Sequence, residues 1–202
     1  MRKNFTWLAA ATFAGQLIGF AVLAVAARKL GPELIGAYGF AVGVATYIGV
    51  ITNLGIGILG SREVSKDEDR SSVIFAEVLA LQVMLVIAAV ALMIAGRSFL
   101  ATSSLTATLM TIAVLQIGLQ ALNAGWLLQA LGRSAMFGLS LLLGQIAYGL
   151  LAVLYLTSGT SGIIGFAWMN VAGAAVATSC SIVFAWKLGA LRLVRPRLVT
   201  VK

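Results

Sequence analysis

Residues 73–95 read VIFAEVLALQVMLVIAAVALMIA, a run whose only ionisable side chain is Glu77. Wound as an α-helix, about 20 residues reach roughly 30 Å, the thickness of a bilayer's hydrocarbon core. A helix this apolar on every face must be surrounded either by protein or by lipid. The rest of the chain decides between the two. Of 202 residues, 61% are hydrophobic and 10% are charged, where a soluble domain carries about 25% charged residues. The chain lacks the polar surface to enclose such a helix in water, so lipid is its solvent.

Working outward from this run, comparable segments occupy 7–27, 36–59, 105–131, 135–157 and 162–186. None alternates polar and apolar residues as barrel strands do, and lipid offers backbone groups no partners, so the expected fold is all-α. It is a polytopic membrane lobe of six transmembrane helices spanning 1–202, with a basic tail over 187–202. Short breakers join the segments, among them Gly31-Pro32, Gly132-Arg133-Ser134 and Ser158-Gly159. Arg2 and Lys3 precede an apolar run too long for a signal peptide, so that run is expected to remain as the first span. With the N-terminus inside, eleven Lys and Arg residues face the cytoplasm and three (Arg28, Lys29, Arg97) face out. Positive charge is retained inside, so both termini are expected in the cytoplasm of a multi-pass protein of the plasma or inner membrane.

Composition also excludes functions. The single Cys180 and the absence of His rule out a disulfide framework within the chain and argue against a Cys/His metal site. The formal charge of +8 is what helix ends in a membrane demand, so nucleic acid is not an expected partner. The sequence has no phosphate-binding Gly-rich loop followed by Lys and no nucleophile–base pair or carboxylate dyad at useful spacing. No enzyme activity and no cofactor are expected.

The polar residues inside the segments are the candidate site. Gln116, Gln120 and Asn123 recur at i, i+4 and i+7 and fall within about 60° of one another on a helix. Trp126 borders that stripe and Gln129 lies further round. Amides that donate and accept, beside an indole that stacks on a ring, suit a sugar; the same amides also serve as hydrogen-bonded glue between helices. Gln16, Asn53, Gln82, Gln145 and Asn170 add further amides and read first as glue. Glu77 is either a coupling carboxylate for a proton or cation, or a shallow acid near a helix start. Arg28 and Lys29 break the inside bias, as an anion-receiving pair or as snorkelling helix-end cations. Arg62, Lys66 and Arg70 lie among acids in the loop 61–72, where Ser65 and Glu68 have capping-box spacing. Gly15/Gly19 and Gly39/Gly43 have the spacing of close helix crossings, and Gly55-x-Gly57 makes the end of the second segment pliable.

Three strings, in order, resemble the polysaccharide (O-antigen type) flippases of the multidrug/oligosaccharidyl-lipid/polysaccharide exporter superfamily. They are Ala27-Arg28-Lys29-Leu30-Gly31-Pro32-Glu33, then Asn53-Leu54-Gly55-Ile56-Gly57 followed by Gly60-Ser61-Arg62-Glu63, then Trp126-Leu127-Leu128-Gln129 ahead of Gly132-Arg133. The family usually shows an aromatic where Ile35 stands and often a basic residue where Gln82 stands. The resemblance implies one lobe of a two-lobed translocase with a central cationic cavity. It would carry lipid-diphosphate-linked oligosaccharide or polysaccharide repeat units across the cytoplasmic membrane. Arg28, Arg62, Trp126 and Gln129 are the matched residues, with Glu63 in the same loop motif as Arg62. The implied partners are membrane lipid, the lipid-linked glycan and a complementary second lobe or second copy. The competing readings are a multidrug- or toxin-extrusion lobe, which calls for a deep acid, and an inactive membrane fragment or scaffold.

Overall fold

A computed structural model describes residues 2–53, 55–101, 103–159 and 162–190. The basic tail from 191 on and Leu54 lie outside the described residues, as do the side chains of Arg2, Lys3, Asn53 and Arg97. Among the described residues the regular elements are all helical: α1 (Arg2–Leu30), α2 (Pro32–Asn53), α3 (Ile56–Lys66), a 3-10 turn (Glu68–Arg70), α4 (Ser71–Leu100), α5 (Ser104–Ala121), α6 (Gly125–Ala130), α7 (Ser134–Thr157) and α8 (Ile163–Lys187). Six stretches are long and apolar enough to cross a membrane, with α5 and α6 together making one of them. The chain is therefore the expected all-α, six-span protein.

Two segments expected to run unbroken are divided. The second stops at Asn53, and α3 restarts after Gly55, whose φ of 72° and ψ of 9° are left-handed. A side chain there would be strained, so the glycine sets the break. The fourth breaks at Leu122–Ala124 between α5 and α6. Asn123 Oδ1 accepts from Gly125 N at 2.7 Å, and Ser181 Oγ of α8 accepts from Ala124 N at 3.1 Å. Those bonds replace helical partners for amides buried at membrane depth. Ser65 does not cap a helix start: it lies inside α3, donating from Oγ to Ser61 O at 2.8 Å.

The spans pack in a run. α1 lies along α7, α7 along α8, α8 on α5, and α5 on both α2 and α4. α2 also packs on α1 and α4, which closes the run into a bundle. The closest crossing joins α7 to α8, where a Cβ on Gly144 would sit 2.8 Å from Gly173 O and one on Gly173 would sit 2.8 Å from Gly144 O. Only glycine permits backbones to touch in this way. The glycine pairs marked by spacing do not make such crossings. Gly39 and Gly43 meet nothing within 4 Å, and Gly15 lies against the Gln145 side chain. Spacing identifies a smooth face but not which neighbour covers it.

Two apolar clusters form, one at each end of the bundle. One gathers Ala26, Tyr38, Met110, Leu156 and Phe166. The other gathers Val64, Phe75, Leu127, Leu128 and Ala185 around α3 and α6. A polar cavity lies between them.

Candidate functional site in the transmembrane cavity

The cavity has a volume of about 760 Å³ and is lined by α1, α3, α4, α5, α6, α7 and α8. Its polar wall carries amides from five helices and one break: Gln16 from α1, Gln82 from α4, Gln120 from the end of α5, Asn123 from the break between α5 and α6, Gln145 from α7 and Asn170 from α8. Trp126, Tyr148, Phe20 and Phe137 supply aromatic surface. Among the described residues, no charged side chain lines it.

These amides divide by what they already hold. Gln116 does not line the cavity; its Nε2 donates to Asn170 Oδ1 at 3.2 Å, and Asn170 Nδ2 donates to Tyr38 Oη at 2.6 Å. That chain ties α5 to α8 and α8 to α2, so Gln116 acts as glue here. Asn123 faces the cavity while its Oδ1 holds the start of α6. Gln129 is exposed, lies off the cavity and donates to Gly125 O of its own helix at 3.3 Å. Gln16, Gln82, Gln120 and Gln145, by contrast, have no side-chain hydrogen bond among the described residues, although all four line the cavity. Gln82 is only 3% exposed, and Gln145 Oε1 is buried without a partner. A buried amide oxygen without a partner, as at Gln145, forfeits about 1–3 kcal/mol. With buried Gln82 and the exposed Gln16 and Gln120 around the same cavity, it marks a place where a ligand or water completes the bonding. Small residues make the room: α1 presents Gly15 and Gly19 to Gln145, and a Cβ on Gly15 would come within 3.1 Å of Gln145 Cγ.

Of the stripe read from sequence, Gln120, Asn123 and Trp126 reach the cavity, while Gln116 and Gln129 do not. The sequence reads Gln16, Gln82, Gln145 and Asn170 first as glue. Asn170 is glue, bonded to Gln116 and Tyr38, whereas Gln16, Gln82 and Gln145 line the cavity without a side-chain bond among the described residues. A usable signal was their depth: Gln16 sits mid-way along α1 (Arg2–Leu30), and Gln145 mid-way along α7 (Ser134–Thr157).

Trp126 closes the α3 end of the cavity. Its ring stacks on Phe75 with centroids 5.9 Å apart and planes 20° apart. It also fills the space left by Gly57 and Gly60, and its Nε1 is buried without a partner. Ser61 Oγ donates to Trp126 O at 3.2 Å, tying α3 to α6.

The charged candidates lie elsewhere. Arg28 and Lys29 are exposed in the last turn of α1 without an ion pair among the described residues. The last α1 residue on the cavity is Leu23, about 7.5 Å along the axis from Arg28. The cationic cavity implied by resemblance is thus not supplied by the described residues of this chain. Glu77 also lies off the cavity, with Oε1 buried and unpartnered. Arg62 lies on the outer surface of α3. Glu63 pairs with Lys66 at 2.6 Å, and that hydrogen bond, with the lysine's charge, holds its carboxyl below the usual range.

No curated protein and no solved structure matches the chain. A family model described as polysaccharide biosynthesis protein matches residues 1–202. With six membrane-capable helices and a family match over its whole length, this multi-pass membrane chain belongs to the polysaccharide biosynthesis protein family.

Proposed function

We propose that the chain forms one wall of a pathway that moves a lipid-linked oligosaccharide or polysaccharide repeat unit across the cytoplasmic membrane, with both termini on the cytoplasmic side. The observation that carries this reading is the set of four cavity-lining glutamines, Gln16, Gln82, Gln120 and Gln145, with no hydrogen-bonding partner among the described residues. Each such amide can donate to and accept from a sugar hydroxyl, and the aromatic rings beside them offer faces to a pyranose. A volume of about 760 Å³ lies within the roughly 300–1,000 Å³ of ligand sites. The wall discriminates against charge, because an ion among neutral amides and aromatic rings loses more hydration than it regains.

The diphosphate of such a substrate needs cations. Arg28 and Lys29 are the nearest candidates on α1, and a second lobe or second copy facing the cavity would add others. Glu77 is the candidate for coupling transport to a proton or cation, through its buried, unpartnered Oε1. The deciding experiment is complementation of a strain defective in glycan export, scored by surface glycan. Gln82→Leu with Gln145→Leu should lower export at least tenfold at unchanged protein level, since two lost polar contacts at about 1 kcal/mol each amount to more than tenfold. Undiminished glycan would overturn the assignment of this cavity.

A further inference from the structure

Outside the cavity, α3 carries a second surface. Its inner side is set by Ile56, Gly60 and Val64, which are buried. The opposite side forms a shallow groove of about 380 Å³ lined by Ile58, Ser61, Arg62, Ser65 and Lys66. These positions follow i, i+3, i+4, i+7 and i+8, one stripe along the helix. The stripe changes chemistry along its length. Ile58 and Leu59, in the first turn, are 69% and 60% exposed. Arg62 lies about 6 Å further along the axis, and Lys66 about 12 Å.

The helix starts directly after the membrane span α2 and ends just before the span α4. It therefore sits at the membrane boundary, where an exposed apolar turn followed by cations matches the passage from acyl chain to headgroup. Arg62 has no hydrogen bond or ion pair among the described residues, and no acid lines the groove. Glu63 approaches Lys66 from the groove's flank, and Asp67, Glu68, Asp69 and Arg70 follow at the helix end. We infer that this groove binds an anionic phospholipid of the surrounding bilayer, with its phosphate on Arg62 and Lys66 and an acyl chain along Ile58. The site is separate from the transmembrane cavity and does not depend on what that cavity carries. Ser61 connects the two, since it lines the groove and its Oγ donates to Trp126 O.

The test is lipid retention by the purified full chain, read by native mass spectrometry against phosphatidylglycerol and phosphatidylcholine of matched acyl chains. The wild type should retain phosphatidylglycerol preferentially. Arg62→Gln should weaken retention about fivefold, the effect of one cation near a charged headgroup, and adding Lys66→Gln should weaken it further. Arg62→Lys should restore most of the loss, and Lys187→Gln, which removes an exposed cation elsewhere, should leave retention unchanged. Arg62 and Lys66 are exposed, so the variants should keep wild-type helicity and elution. Equal retention of both lipids, or equal weakening by Lys187→Gln, would overturn the inference. Glycerol 3-phosphate should compete poorly; competition at lipid-like concentrations would reassign the groove to a soluble phosphate and overturn the lipid as its occupant.

Discussion

At the scale of single residues, the difference between glue and ligand contact rests on partners rather than on residue type. Gln116 and Gln82 are the same side chain, each inside an apolar span, yet Gln116 is bonded to Asn170 and Gln82 faces the cavity without a partner among the described residues. Gln116→Leu should therefore lower thermal stability in detergent, by about 1–3 kcal/mol, because it takes away Asn170's donor. Gln82→Leu should leave stability unchanged or slightly higher, because no internal bond is lost. The same unfolding measurement applied to both variants separates the two roles, and equal destabilisation would refute the distinction. Arg28→Ala tests the outer pair. If that guanidinium meets the substrate's diphosphate, surface glycan should fall several-fold in complementation, as expected for a lost charge-assisted hydrogen bond. An unchanged level would leave Arg28 as a helix-end cation.

At the scale of elements, the breaks and crossings are where backbone chemistry decides. Gly144 and Gly173 bring α7 and α8 into backbone contact. Gly144→Ala should force the helices apart and cost about 1–3 kcal/mol, the range for overpacking. Gly39→Ala should be neutral or stabilising, since nothing lies within 4 Å of it and alanine favours the helix. A melting series on the two variants checks both. The α5–α6 break depends on Ser181, whose Oγ accepts from the buried Ala124 N. Ser181→Ala leaves that N–H unpaired and should cost about 1–3 kcal/mol in the same assay. From the amino-acid string, Gly55 and Gly57 were readable as a weak point in the second segment, and there the structure breaks. The division at Leu122–Ala124 was not readable, because the local Asn123 bond is joined by one from Ser181, far away in sequence on another helix.

At the scale of the whole molecule, six spans require that successive connections alternate sides. Arg97→Cys and Arg133→Cys, each made with Cys180→Ser, flank the single span formed by α5 and α6. An impermeant thiol reagent should label the two from opposite faces of the membrane; labelling from one face would overturn the six-span topology. The packing of the spans leaves the amide cavity between two apolar clusters. By itself, the sequence determined the solvent, the number of spans and their helical character. Each follows from local quantities: apolar run length against bilayer thickness, and the need of every backbone amide for a partner. The three flippase-like strings likewise carried the family, because they lie in continuous chain. Only the tertiary structure decided which amides are free. Helical periodicity fixes the face of a residue on its own helix, but a hydrogen bond between helices depends on rotation, depth and neighbour together. That is why Gln116, inside the sequence-defined stripe, is tied to Asn170, while Gln16, Gln82 and Gln145, outside it, line the cavity.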